Sequence, residues 1–387
     1  MHKDLIIYGG GIIGGALALT LKDSGLSMAL IEARAAPALA PSETWDTRMY
    51  AVSPGSVTFL TQLGVWDATS SRIQAIRQMQ VWGDDGTASI VFDAKAVGLA
   101  ELGFIVEASF MHRHIWQALG NQTDLELICP AQAEQLDIGA QGAQLHLSDG
   151  RQLTGELLIG ADGAESWVRA AAQMEADSSP YDQVGIVANF ECELTHDGTA
   201  RQWFQKNGVL AWLPMPGKRI SIVWSLQRDA AEGIMALAPD VFAQRCEEAG
   251  KHTLGQLRLM NAPAVFPLRL TRLARTIKPH LALIGDAAHN LHPLAGQGIN
   301  LGFRDARVLA QILRDRHPMQ DCGDYFLLRK YERARREDVL VTQWLTHGLH
   351  RLFGANVPGI KQVRNWGLSL TNQQHWLKTQ LMRHAIN

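Results

Sequence analysis

Three stretches of the sequence predict a mixed α/β fold: a parallel sheet of nucleotide-binding type, a β-sheet domain inserted into it, and a C-terminal helical tail. Near the start, the apolar run Leu5-Ile6-Ile7-Tyr8 leads directly into Gly9-Gly10-Gly11-Ile12-Ile13-Gly14. Far downstream, Leu281-Ala282-Leu283-Ile284 stops at Gly285-Asp286, and Gly296-Gln297-Gly298 opens a helix near Ile299. Between them, residues 181–266 hold four successive strand-like runs, the pattern of a separate sheet.

At 387 residues the chain is long for one hydrophobic core, so two interlocked domains sharing a cleft are expected. Residues 1–180 and 267–330 are assigned to the nucleotide-binding domain and 181–266 to the substrate domain, which the hairpin 79–92 joins; 331–387 form the helical tail. Hydrophobic content of 47% and charged content of 19% describe an ordinary globular enzyme. A net charge of −2 offers no global attraction to nucleic acid. The four cysteines are far apart and form no C-x-x-C, which argues against a zinc ribbon or disulfide scaffold and for a reducing compartment. No apolar run reaches the roughly eighteen residues of a membrane span. Glycines break the first apolar stretch and no cleavage site follows it, so no signal peptide is read and a cytoplasmic setting is expected.

The first element is the strand at 5–8. It ends in Gly9-x-Gly11-x-x-Gly14, a small-residue helix follows, and a second strand, 28–31, ends in Glu32. The first glycine makes the tight turn, the second admits a pyrophosphate, and the third lets helix and strand close up. An acid at the end of the second strand takes the ribose hydroxyls of an adenosine. With strand, helix, strand and acid all present, the unit is Rossmann-like and binds a dinucleotide.

Residues 35–45 are a loop rich in Ala and Pro. Asp46-Thr47-Arg48 follows, then a helix at 56–63 closed by Gly64. Arg48 is either a solvent-exposed arginine or one reaching into the cleft. Residues 79–92 alternate around Gly-Asp-Asp-Gly, a hairpin signal. A helix is expected at 110–119, and strands at 125–128, 143–147 and 152–153. A further apolar strand ends in Gly160-Ala161-Asp162-Gly163 before a helix carrying Arg169. In the insertion, strands fall at 184–193, 200–204, 209–214 and 219–226, with a helix at 240–250. Trp203, Phe204 and Trp212 lie on these strands and are candidates for an apolar substrate pocket, ordinary sheet core being the other reading. At 281–306, a strand ending in Gly-Asp and a helix opening on Gly-x-Gly aim backbone N–H groups at one spot, which suits a cofactor with electron-accepting oxygens.

These three elements, in this order, resemble the single-component FAD-dependent aromatic hydroxylases of the para-hydroxybenzoate hydroxylase fold. Asp46-Thr47-Arg48, Leu63-Gly64-Val65-Trp66 and above all the run from His292 to Ala306, HPLAGQGINLGFRDA, resemble the ubiquinone-biosynthesis hydroxylases within that group. The resemblance implies that Gly9, Gly11 and Gly14 hold the FAD pyrophosphate and Glu32 the adenosine ribose. It places Arg48 beside the flavin, Asp162 near the pyrophosphate, and Asp286 on the ribityl chain. Gly296, Gly298, Ile299 and Asn300 would turn helix N–H groups toward the flavin N1–C2=O edge. Family members often carry Asn or Gln where this chain has Ala108; Arg113 is the substitute contact. His289 and Pro293 are the candidate flavin-edge side chains, a satisfied structural histidine being equally open for His289.

The implied reaction is hydroxylation of the aromatic ring of a polyprenylated phenol, with NAD(P)H as reductant and O2 as co-substrate, through a flavin C4a-hydroperoxide. A hydroxylase of small soluble aromatics, an isoprenoid-saturating flavin reductase, and a non-catalytic flavoprotein partner are the competing readings. Residues 344–387 carry five Lys/Arg and no acid, interleaved with Trp344, Phe353, Trp366 and Trp376. This suits a peripheral anionic membrane surface, on the inner face of the plasma membrane, or a biosynthetic complex; a helical pair packed on the FAD domain fits as well. His347 and His350 lack a third ligand, so no metal is expected.

Overall fold

The structure, a computed structural model, describes residues 2–354 apart from 38–43, 84–88, 206–207 and 291–296, with the side chains of 178–181, 270 and 344–354 set aside. Its helices are α1 (Ile12–Thr20), α2 (Pro54–Gln62), α3 (Ala108–Leu119), α4 (Trp167–Ala171), α5 (Arg228–Met235), α6 (Pro239–Ala249), α7 (Gly298–Arg314) and α8 (Tyr325–Gly354).

The first sheet is built on five parallel strands in the order Leu281–Leu283, Gln152–Gly160, His2–Tyr8, Met28–Ile31, Leu125–Ile128. Their continuous apolar runs are buried on both faces, as parallel strands covered by helices require. Helices α1, α3, α7 and α8 pack on one face; a meander of Ala133–Gly139 and Gly142–Leu147 belongs to the other. Register decides where the motifs meet. Tyr8 pairs with Gly160 and with Ile31, and Gly160 pairs with Leu283. Because the strands are parallel, Gly9, Glu32, Ala161-Asp162 and Gly285-Asp286 all emerge at one edge, where open α/β sheets bind ligands.

One sequence expectation is corrected here. Residues 152–153 and 157–160 belong to a single strand rather than two. Thr154 and Gly155 look like a break, yet they pair with His2 and Lys3 on one side and with Gln144 and Ala143 on the other. Two ladders outweigh the poor strand propensity of Gly155.

The second sheet runs Leu257–Leu259, Ala176–Cys192, Arg219–Gln227, Gly208–Met215, Thr199–Gln205, Gln78–Trp82, Ser89–Asp93, with Ala264–Leu273 also paired to Ala176–Cys192. The hairpin of residues 78–93 thus joins this sheet, its strand Gln78–Trp82 lying parallel to Thr199–Gln205. Side chains alternate strictly. Ile186, Ala188, Phe190, Ile222, Trp224 and Trp212 face α5 and α6 and form a closed core. A three-stranded sheet of Met49–Val52, Gly103–Glu107 and Gln74–Ile76 lies against the opposite face, and the sequence did not signal it. Among the described residues no helix is long and apolar enough to cross a membrane.

Candidate functional site

The glycine turn after the first strand is held in a backbone cradle. A Cβ on Gly9, whose φ is +111°, would stand 2.5 Å from the Ala161 carbonyl oxygen, and one on Gly14 would stand 2.0 Å from the carbonyl oxygen of Gly9. A Cβ on Gly11 would meet nothing within 4 Å, so that position opens onto free space. Glu32 folds back on the turn: Oε2 accepts from the Gly10 N–H at 2.7 Å and Oε1 from the Arg34 N–H at 2.9 Å. The carbonyl of Gly10 accepts from Trp116 Nε1 at 2.7 Å and from His112 Nε2 at 2.9 Å. Both side chains sit on α3, and sequence reading missed them because no local motif links them to a turn a hundred residues earlier.

Asp162 has a different local duty. Its carboxylate accepts from Ser166 Oγ at 2.6 Å and from the Val168 N–H at 3.0 Å, capping α4, while its backbone N lies 2.7 Å from where a Gly9 Cβ would be. The acid shapes the second turn, and its backbone borders the first. Arg169 ties the second turn to the third, donating to the carbonyls of Ala164 at 2.7 Å and Ala287 at 2.9 Å.

Asp286 stands on the single 3₁₀ turn Gly285–Ala287, half-buried, and among the described residues its carboxylate accepts no hydrogen bond. Burial pushes its carboxyl above the ordinary value, while His289 and Arg48 pull the other way. A Cβ on Gly298 would meet only Asp286 Oδ1, at 4.0 Å, so the acid and the first turn of α7 border one space. Gln297 provides no side-chain cap, and the N–H groups of a first turn have no intrahelical acceptor. Ile299 is half-buried against the core. The Asn300 side chain is occupied elsewhere, accepting from the Ser53 N–H at 2.8 Å and donating to the Ala51 carbonyl at 2.9 Å, which pins the start of α7 to the strand Met49–Val52. Pro293 and Gly296 lie outside the described residues.

His289 is turned inward. Only 4% exposed, it places Nε2 2.6 Å from Asp305 Oδ2, and the same oxygen accepts from the Gly285 N–H at 2.9 Å. Of the two readings open in the sequence, the geometry is that of a satisfied structural histidine rather than a flavin-edge side chain. Burial works to raise Asp305, yet His289 and Arg335 together hold its carboxyl below the ordinary value.

On the other side of the cleft, Arg48 is exposed, its guanidinium 5.1 Å over the Tyr50 ring. Tyr50, which the sequence did not signal, feels both Arg48 and Asp286; burial raises its hydroxyl, Arg48 opposes and Asp286 assists. The Arg48 segment is anchored from behind. The carboxylate of Glu107 takes two bonds from Arg72, at 2.6 and 2.9 Å, and one from the Asp46 N–H at 2.7 Å. Ala108 contributes its backbone, donating to the Arg48 carbonyl at 3.0 Å. Arg113 lies 6.0 Å over the Phe110 ring and makes no hydrogen bond among the described residues, so nothing local commits it to the cleft.

Trp203 and Trp212 require a correction as substrate-pocket residues. They are 2% and 0% exposed, in edge-on contact 5.0 Å apart, on the face of the second sheet that packs on α5 and α6. Phe204, one residue on, points to the opposite face but is buried with Val81, Ile90 and Val209. That opposite face is the cleft face: Asn189 on it donates to the Asp46 carbonyl at 2.8 Å, and Leu213 packs with Met49 and Ala51. Its half-exposed side chains include Ala211, Leu213, Val223 and Phe266. Period-two alternation would have separated the two faces, but it could not say which one packs toward the Arg48 segment.

The open space beside Gly11 and Gly298, the unshared carboxylate of Asp286 and the uncapped start of α7 fit a long dinucleotide carrying a polyol chain and an electron-poor ring. They define a flavin-dinucleotide protein. A family model described as an FAD binding domain matches residues 2–342. The ubiquinone hydroxylase UbiL of Rhodospirillum rubrum is 34% identical over 384 residues, 99% of this chain and 89% of that one. The 3-demethoxyubiquinol 3-hydroxylase of Escherichia coli is also 34% identical, covering 99% of this chain and 98% of that protein. Among solved structures, p-nitrophenol 4-monooxygenase PnpA from Pseudomonas putida superposes with a TM-score of 0.80 at 17% identity, over 100% of this chain and 98% of that one. The chain belongs to the FAD-dependent monooxygenases of the para-hydroxybenzoate hydroxylase fold, in the family of the ubiquinone-biosynthesis hydroxylases. It is an FAD-dependent aromatic hydroxylase.

Proposed function

We propose that this enzyme hydroxylates the ring of a polyprenylated phenol or quinol intermediate of ubiquinone biosynthesis, taking its electron pair from NAD(P)H. One atom of O2 enters the ring; the other leaves as water. The observation that carries this reading is the similarity to the two bacterial ubiquinone hydroxylases over 99% of the chain. When bound, FAD supplies the electron transfer and the activation of dioxygen. The chain's own residues then bind, orient and exclude water. Gly9, Gly11 and Gly14 admit the pyrophosphate, and Glu32 takes the adenosine ribose while still bonding the Gly10 N–H. Asp286 takes ribityl hydroxyls, and its unshared oxygens support this. The first turn of α7 stabilises negative charge at the pyrimidine edge of the reduced ring, worth up to about 2 kcal/mol in a partly buried setting. Ala211, Leu213, Val223 and Phe266 supply an apolar wall for the substrate ring and keep water from it.

The test is incubation of the FAD-loaded enzyme with NAD(P)H, dioxygen and a set of prenylphenols, followed by mass spectrometry. A product that has gained one oxygen is expected. NAD(P)H consumption with no oxygenated prenylphenol in the set would overturn the substrate assignment. The basic, tryptophan-bearing tail at 344–387 fits a cytoplasmic enzyme seated peripherally on an anionic membrane, where a prenylated substrate resides. Flotation with anionic liposomes, lost on truncation after Val341, is the expected result; flotation unaffected by the truncation would overturn it.

A further inference from the structure

Helix α8 lies outside the glycine motifs, yet it bonds two groups that hold the Asp286 turn. Tyr331, 1% exposed, donates its hydroxyl to the carbonyl of Leu283 at 3.0 Å, on the strand that runs into Gly285. Four residues on, and so on the same helix face, Arg335 Nε donates to Asp305 Oδ1 at 2.7 Å. The other oxygen of Asp305 holds the Gly285 N–H and His289. Arg335 is braced in turn: Nη1 bonds Asp338 Oδ2 at 2.6 Å, and Asp338 takes two bonds from Arg304 of α7, at 2.7 and 2.9 Å. Asp286 directly follows the residues so held. Tyr331 fixes the peptide two residues before Gly285, and the Asp305–Arg335 pair fixes Gly285 itself.

Asp305 is fully buried, so its charge is tolerated only while His289 and Arg335 remain in place. A buried pair of this kind has few alternative geometries. Moving α8 outward would strip Arg335 from Asp305 and unbalance the buried carboxylate that holds the Gly285 N–H, loosening the turn that presents Asp286.

We propose that Tyr331 and Arg335 are positioning residues for FAD, and that α8 seating and FAD binding are thermodynamically coupled through Leu283, Asp305 and the Gly285-Asp286 turn. The proposal rests on the reading of Asp286 as a ribityl ligand. Coupling of this kind is reciprocal. FAD therefore holds α8 in place, and whatever holds α8 strengthens FAD binding. The basic tail, residues 344–387, begins within the span of α8, so an event at the tail would reach the flavin through these two side chains.

The experiment uses full-length apoprotein titrated with FAD, followed by flavin fluorescence and by hydrogen exchange with mass spectrometry. In the wild type, FAD is expected to slow exchange across residues 325–343. Arg335→Met is expected to raise the FAD Kd on the order of tenfold, within the usual range of allosteric coupling, and to abolish that protection. Arg335→Lys restores the buried positive charge and should recover part of both. Tyr331→Phe removes only a hydroxyl and provides a second, milder variant should Arg335→Met fail to fold; a several-fold rise in Kd is expected. A merely structural role for these side chains would lower the melting temperature but leave the Kd of the folded fraction and the FAD-dependent protection of α8 unchanged. That result overturns the coupling. Asp286→Ala is measured in parallel: an unchanged Kd there defeats the ribityl assignment itself. A weakened Kd there, with wild-type binding in both α8 variants, defeats only the coupling.

Discussion

Trp116 donates its indole N–H to the carbonyl of Gly10 at 2.7 Å, while Glu32 accepts from the N–H of the same residue at 2.7 Å. The Gly10 residue is thus held from both ends, by α3 behind it and by Glu32 in front. Trp116→Phe keeps an aromatic ring and loses the donor, leaving His112 to bond the Gly10 oxygen alone. Losing one such bond lowers stability by about 1 kcal/mol. Thermal unfolding of the apoprotein should show that loss, and FAD titration a several-fold weaker Kd. An unchanged Kd alongside the lower melting temperature would limit α3 to a stabilising role.

The glycines of the first turn separate fold from cofactor. Gly14→Ala would drive a methyl group to 2.0 Å from the Gly9 carbonyl oxygen, so misfolding or a large drop in melting temperature is expected. Gly11→Ala meets no protein atom within 4 Å. Its apoprotein should melt within a degree or two of wild type, since a surface change of this kind shifts stability by only about 0.5 kcal/mol. FAD binding should nevertheless be largely lost, because the methyl group occupies the space through which the pyrophosphate approaches. Wild-type FAD affinity in Gly11→Ala would mean that the dinucleotide does not cross that turn.

Much of this architecture was legible in the sequence because the signals are local. The run Met28–Ile31 before Glu32, the strand Leu125–Ile128 and the hairpin at residues 78–93 follow from apolar runs and turn residues a few positions apart. The convergence of Gly9, Asp162 and Asp286 was implied by the family resemblance, and the register of the parallel strands supplies its physical reason. What escaped depends on long-range pairing. Trp116 reaches Gly10, Tyr50 reaches the neighbourhood of Asp286, and Arg335 reaches Asp305, each across tens to hundreds of residues with no periodicity to announce it. Trp203 and Trp212 were misplaced for another reason. An aromatic on an amphipathic strand marks a buried face, but both faces of this sheet are apolar, and only contacts such as Asn189 with Asp46 identify the one toward the cofactor.

Asp286 carries a pH signature. Burial raises its carboxyl in the folded apoprotein above its unfolded value of about 3.9. A folded state that holds the proton more tightly is favoured at low pH, so this contribution is fully present below the unfolded value. It is lost as pH rises through the raised one. Asp305 acts in the opposite sense, because its carboxyl is held low: its contribution is present above the unfolded value and is lost as pH falls through the folded one. Subtracting the stability profile of Asp286→Asn from that of wild type isolates the first effect. The difference should favour wild type at acid pH and decline toward neutrality. A difference that is flat across this range would show that Asp286 is not proton-linked to folding.

Glu107 and Arg72 give the sharpest stability prediction. The Glu107 side chain is 1% exposed and that of Arg72 16%, and two bonds at 2.6 and 2.9 Å join them. Arg72 also covers the Trp45 ring at 4.2 Å, so the pair clamps the segment leading to Arg48. Removing one partner of a buried pair leaves an uncompensated charge, which destabilises by about 3–5 kcal/mol. Arg72→Met should lose that much in urea unfolding. Arg72→Met with Glu107→Gln should recover most of it, because the stranded carboxylate is gone while the amide can still accept from the Asp46 N–H. A double variant as unstable as the single one would show that the loss comes from the Trp45 contact and not from the buried charge.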